Sequence, residues 1–221
     1  MKKREFRRAF LATVPVMTGY LFLGIGFGFL MQQKGYGVLW SGAMSLFIYA
    51  GSMQYVAVDL LRGGVGLLTV ALTTLMVNAR HLFYGISMVD AYRNAGGKKP
   101  YLMFALTDET YSLVAGKEEP LSYCLTVSVL NHCYWVSGTV LGALAGSLIR
   151  VELRGIEFVL TALFVTIFTE QWLTAKNHRP AILGLAITAV CLLIFGKDVF
   201  LIPSMALIAL ALLMERGKHH G

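Results

Sequence analysis

Charge is what this chain has least of: 14% of its 221 residues are Asp, Glu, Lys or Arg, where an ordinary soluble domain carries about 25%. With 57% hydrophobic residues and a mean hydropathy of +0.66, that scarcity excludes a soluble domain and makes the chain an integral membrane protein. Only three cysteines occur, Cys124, Cys133 and Cys191. They lie in apolar segments without CxxC spacing, so they read as small packing residues rather than a disulfide framework. A Walker A sequence is missing, which leaves ATP hydrolysis without support. HExxH, GxSxG and closely spaced metal ligands are missing too, so neither a metal site nor a cofactor is expected. Short alternating strands are also lacking, which favours helices over an outer-membrane barrel. The net charge of +7 does not point to nucleic acid, because the Lys and Arg residues sit in short connections between apolar segments, where they orient a membrane protein.

What is present is a series of six to seven apolar runs, the pattern of an all-α polytopic membrane protein. The first, about 10–31, follows MKKREFRRAF and resembles a signal peptide. It is too long for an h-region and ends without a small-residue cleavage site, so it is expected to remain as an anchor. It carries Gly24 and Gly28, a GxxxG face for close helix approach, and the run at about 121–149 carries Gly138, Gly142 and Gly146, a double GxxxG.

Polar residues interrupt these runs at a few places, and those places are the candidate substrate or ion pathway. In the run at about 38–61, Gly51, Ser52 and Gln54 form a small-residue break followed by an amide, either a discontinuous helix around a ligand or a tight helix contact. Asn78, Arg80 and His81 interrupt 65–89. An ionisable group at membrane depth costs roughly 2.5–3.5 kcal/mol on insertion scales and usually faces a partner or a polar cavity; the alternative is a membrane-edge position with Arg80 snorkelling. Residues 101–120 are too interrupted to span and predict an interfacial helix. Thr107 or Asp108 is its expected N-cap, with Glu109 in the first turn and Gly116 closing it. Asp108 and Glu109 serve there as capping residues, or in a proton relay or at a substrate ammonium. Asn131 and His132 lie mid-run in 121–149, and His132 is either a proton carrier or a histidine bonded between helices. Glu170 and Gln171 end the run at about 156–175, and Gly196-Lys197-Asp198 breaks 182–214.

A shift of 117 residues aligns 46–88 with 163–205 without a gap, pairing Gln54 with Gln171, Arg62 with Arg179, Phe83 with Phe200 and Ser87 with Ser204. This suggests repeats over about 10–92 and 121–214 within one transporter domain, 1–221. Charge placement bears on topology. If every run crosses, Lys and Arg divide evenly between the two sides. If 65–92 and 182–214 dip in and return, fourteen lie inside: Lys2, Lys3, Arg4, Arg7, Arg8, Arg62, Arg93, Lys98, Lys99, Lys117, Lys176, Arg179, Arg216 and Lys218. Three, Lys34, Arg150 and Arg154, lie outside. The positive-inside rule favours this re-entrant arrangement, with both termini in the cytoplasm.

YAGSMQ (49–54), NARHLFYGISM (78–88), TDETYSL (107–113) and NHCYWVSGTVLGALAG (131–146) resemble the AzlC family, the large subunit of branched-chain amino acid exporters, over roughly residues 10–175. The resemblance implies export of Leu, Ile, Val and analogues such as azaleucine across the cytoplasmic membrane, together with a small AzlD-type membrane subunit encoded separately. The residues themselves leave two rivals open, a membrane-embedded metal enzyme built on His81, His132, Asp108 and Glu109, and a non-transporting assembly subunit.

Overall fold

The computed structural model describes residues 3–115, 119–148, 179–196 and 200–218, with isolated positions between 165 and 178. Among the described residues there are helices and no strands. The chain forms two compact units, 1–160 and 161–221.

The first unit is built on two long helices. Helix α1 (Lys3–Gln33) has 31 residues and is the one described helix long and apolar enough to cross a bilayer unaided; its length of about 46 Å exceeds a hydrocarbon core of roughly 30 Å. Helix α8 (Leu121–Leu148) has 28 residues. Its buried stripe contains Ser128, Asn131, Trp135, Thr139 and Gly142, while Leu141, Leu144 and Leu148 face outward. Polar groups inside and leucines outside invert the arrangement of a protein folded in water, and they suit a lipid surround. The same inversion leaves Phe22, Leu39, Leu67 and Leu193 at least 73% exposed.

The expected glycine faces meet each other. Gly24 lies against Trp135, Gly138 and Thr139, Gly28 against Thr139 and Ala143, Gly138 against Tyr20 and Leu21, and Gly142 against Ile25. A Cβ on Gly28 would come within 2.0 Å of the Thr139 carbonyl oxygen, and one on Gly142 within 2.1 Å of the Ile25 carbonyl oxygen. The α1–α8 seam is therefore backbone against backbone, which only glycine permits.

Between the long helices the chain runs through short ones: α2 (Val38–Phe47), α3 (Gly51–Arg62), α4 (Leu67–Val77), α5 (Ala79–Met88), a 3-10 turn at 96–98, α6 (Lys99–Phe104) and α7 (Asp108–Val114). The run expected as one interrupted helix over 38–61 is two helices of 10 and 12 residues. The run at 65–89 is likewise two, of 11 and 10 residues, parting at Asn78. Each piece is about 15–18 Å long, roughly half a hydrocarbon core. At the first break Tyr49 takes φ +47, a left-handed conformation that costs a bulky residue roughly 1–2 kcal/mol and that a regular helix cannot contain. The expected interfacial helix is α6 and α7, with Thr107 as the N-cap of α7, its Oγ1 accepting from the Thr110 N–H at 3.3 Å. Gly116 lies outside the described residues.

An aromatic core of Tyr20, Phe27, Tyr49, Tyr55 and Trp135 fixes α1, α3 and α8 to one another, and the Tyr55 hydroxyl donates to the Leu23 carbonyl at 2.7 Å. A second cluster, including Met88, Tyr92, Leu102, Leu106 and Val127, holds α5 to α8 together. Arg8 pairs with Glu119 and covers the Tyr123 ring, tying the start of α1 to that of α8.

In the second unit, α9 (Arg179–Phe195) and α10 (Leu201–Lys218) pack on each other. The break between them falls where expected, at Gly196, which has φ +72. Glu170, Gln171, Lys197 and Asp198, the residues that mark the second proposed repeat, lie outside the described residues. Of the cysteines, Cys124 and Cys191 are buried as expected, whereas Cys133 is exposed.

Candidate substrate site

Three helix breaks converge on one pocket of about 180 Å³. The break between α2 and α3 contributes Ile48, Tyr49 and Ala50. The break between α4 and α5 contributes Asn78 and His81, and the α6–α7 break contributes Met103, Phe104, Leu106 and Thr107. Ala50, Asn78 and Thr107 are the N-caps of α3, α5 and α7. Neither Ala50 nor Asn78 makes a side-chain cap bond, so the first N–H groups of α3 and α5 keep donor capacity beside the pocket. Ile48 and Asn78 close α2 and α4, which brings carbonyl ends to the same place. A helix N-terminus carries roughly half a positive charge and a C-terminus roughly half a negative one, so the pocket offers both signs without a free ion. Ile48, Met103, Phe104 and Leu106 supply an apolar wall.

Beside the pocket, Arg80 joins three short helices. Its Nη1 pairs with Asp108 Oδ2 at 2.9 Å, and its Nη2 donates to Ser52 Oγ at 3.1 Å. Both charged side chains are less than a third exposed, at 29% and 25%. Arg80 Nε and Asn78 Oδ1 are buried without a hydrogen-bond partner, an arrangement that leaves hydrogen-bonding capacity unused near the cavity.

A polar chain runs behind the pocket wall. The Tyr20 hydroxyl donates to Glu109 Oε2 at 2.6 Å and lies 2.7 Å from Thr107 Oγ1. Thr107 Oγ1 donates to Thr110 Oγ1 at 3.1 Å, and Asn131 Nδ2 donates to the same Thr110 oxygen at 3.0 Å. Asn131 is fully buried and its Oδ1 is unpartnered.

Of the residues expected in the pathway, Asn78 and His81 line the pocket, Ser52, Arg80, Asp108 and Glu109 stand around it, and Asn131 is linked to the lining residue Thr107 through Thr110. His132 stacks on Tyr49, ring centroids 4.2 Å apart, and its Nδ1 lies 3.2 Å from the Tyr101 hydroxyl, a histidine bonded between elements. Gly51 abuts the Trp135 ring, which a Cβ would approach to 3.0 Å.

Gln54 serves packing. Fully buried, it accepts from Trp135 Nε1 at 2.9 Å and donates to Ser45 Oγ at 3.1 Å, and Ser45 in turn bonds Thr139 at 2.7 Å. This clamp joins α2, α3 and α8. Trp135→Phe should leave the Gln54 carbonyl oxygen buried without its donor, at a cost of about 1–3 kcal/mol. We expect a lower melting temperature of the detergent-purified chain; an unchanged one would show that Gln54 finds another donor.

Tyr49 and Tyr20 were not legible as site residues. Tyr49 lies inside YAGSMQ, but nothing in the sequence announces its left-handed backbone, and Tyr20 meets Glu109 across 89 positions. Among the described residues, no group of three or more His, Cys, Asp and Glu is placed to hold a metal.

The family model described as AzlC protein matches residues 15–149. The chain is 43% identical to the branched-chain amino acid transport protein AzlC of Bacillus subtilis, over 90% of this chain and 81% of that one. It is 42% identical to an uncharacterized membrane protein of Helicobacter pylori, over 97% and 96% of the two chains. It is 28% identical to the inner membrane protein YgaZ of Escherichia coli, over 86% and 80%. No solved structure matches.

Proposed function

Because this chain belongs to the AzlC family, we propose that it is a membrane transport subunit that exports branched-chain amino acids, Leu, Ile, Val and analogues such as azaleucine, as a secondary transporter of the cytoplasmic membrane. The observation that carries the reading is the meeting of three helix breaks at one pocket. Transporters build substrate sites from discontinuous helices, whose N-termini take anionic groups and whose unwound carbonyls take cationic ones. A zwitterionic amino acid needs both, a few ångströms apart, plus an apolar wall for its side chain. The starts of α3 and α5 suit the carboxylate, the ends of α2 and α4 suit the ammonium, and Ile48, Met103, Phe104 and Leu106 suit a branched aliphatic group. The volume is of the right order: a cavity of roughly 150 Å³ holds benzene.

The chain works with a small AzlD-type membrane subunit, and its N- and C-termini face the cytoplasm. A C-terminal reporter active only on the outer face would overturn this orientation. For function, the chain is reconstituted in vesicles with and without its small subunit and labelled leucine is followed. Leucine flux in at least one preparation, competed by valine and isoleucine and not by lysine or glutamate, is the expected result. Absence of flux in both would return the chain to an assembly role.

A further inference from the structure

Glu109 is the one acidic group of the site that the substrate reading leaves without a task. Asp108, its neighbour, is held by Arg80, and Arg80 is also committed to Ser52. Among the described residues Glu109 has no cation in ion-pair contact. Its partner is the hydroxyl of Tyr20, and Tyr20 touches Thr107, a pocket-lining residue. The ionised carboxylate thus keeps one short hydrogen bond, of the length expected for a hydroxyl on a charged oxygen, while desolvation opposes its charge. Those two effects act in opposite directions, as a group that takes up and gives back a proton in each cycle requires.

We propose that Glu109 carries the coupling proton of the transporter, with Tyr20 and Thr107 linking its protonation to the pocket. This rests on the transport reading above. Proton uptake turns the carboxylate into a neutral acid and weakens the Tyr20 bond, one of two contacts by which Tyr20 ties the start of α7 to α1. Thr107 is the N-cap of α7 and lines the pocket, so a change at Glu109 reaches the substrate through one residue. The groups facing Glu109 are Tyr20 from α1, Tyr49 from the first break and Asp108 with its Arg80 partner. From α8 come Asn131, through Thr110, and His132, through Tyr49. Of these, Arg80 is permanently charged, and it pairs with Oδ2 of Asp108, whose Oδ1 is buried without a partner.

The test uses the full chain in whichever vesicle preparation exchanges leucine, with labelled leucine outside and a pH-reporting dye inside. Wild-type protein should move protons when a leucine gradient is imposed and respond to an imposed pH gradient. Glu109→Gln should lose both proton movement and the pH response, each read per leucine exchanged so that a change in the exchange rate itself does not enter the comparison. Tyr20→Phe removes the bond that favours the ionised form, so its pH profile should move to higher pH by about one unit. That shift also provides a reading if Glu109→Gln proves too unstable to purify. Full proton coupling in Glu109→Gln, or an unshifted profile in Tyr20→Phe, overturns the proposal. Loss of coupling in His81→Gln with coupling intact in Glu109→Gln would give the proton to the histidine instead. Leucine exchange in wild type without proton movement sinks this inference alone, whereas absence of exchange sinks the transport reading as well.

Discussion

Arg80→Lys should lower leucine flux at least tenfold at matched membrane abundance, although it keeps the charge. The guanidinium reaches Asp108 with one terminal nitrogen and Ser52 with the other. An ammonium is a point charge on a flexible stem and cannot hold two partners in that fixed fork. Loss of one hydrogen bond involving a charged group costs about 1.5–3 kcal/mol, and each 1.36 kcal/mol of barrier is tenfold in rate. The fork joins α5 to α3 and α7, so the loss falls on the geometry of all three breaks at once. Comparing Arg80→Lys, Asp108→Asn and the double variant separates this from simple snorkelling. Strong non-additivity is expected for groups in direct contact. A wild-type rate in Arg80→Lys would place this stretch at the membrane edge and remove it from the mechanism.

Gly142→Ala should be more damaging than any alanine substitution in the pocket, and the damage should appear as loss of folded chain. Overpacking a core that can shift its side chains costs roughly 1–3 kcal/mol. At Gly142 the obstructing atoms are the carbonyl oxygen and Cα of Ile25, at 2.1 and 2.6 Å from the added carbon. They belong to the backbone of α1 and cannot rotate away, so the two helices must part. Gly28→Ala should behave alike, since its added carbon would meet Thr139 O at 2.0 Å and Ala143 N at 2.7 Å. Gly24→Ala and Gly138→Ala, with nearest approaches of 3.0 Å, should be milder. Gly146→Ala, whose added carbon would meet side-chain atoms of Gln32 and Phe29 at 3.1–3.3 Å and no backbone, should be milder still, and Gly19→Ala, with nothing within 4 Å, should be silent. Yield and melting temperature of the purified variants check this order. A Gly142→Ala protein as stable as Gly19→Ala would mean that α1 and α8 do not meet along this seam.

The sequence announced the seam and the breaks for different physical reasons. Glycines at four-residue spacing have one common use between helices in lipid, so both faces were legible, although nothing local said that they belonged to the same pair of helices. Arg80 stood out because charge in an apolar run needs compensation, and the structure supplies it in Ser52 and Asp108. The cap was legible as Thr107 or Asp108, because a threonine just before Asp-Glu at the head of an apolar stretch has a local function, and the bond from the Thr110 N–H selects Thr107. Gln54 was ambiguous in sequence because one buried amide can serve a ligand or a neighbour; Trp135 and Ser45 decide the question, and they lie 81 and 9 positions away. The pocket itself was not legible as a pocket. It exists because breaks separated by about 28 residues meet in space, and no periodicity encodes that meeting.

The glycine seam also bears on how such a protein moves. With Gly28 and Gly142 seated against opposing backbone, α1 cannot slide along α8 by a residue or a turn without driving a side chain such as Ile25 or Leu21 into the partner helix. The two long helices therefore form a stator. On the transport reading, the motion that opens the pocket first to one side of the membrane and then to the other would fall to the short helices, which part at Tyr49, at Asn78 and between Phe104 and Thr107.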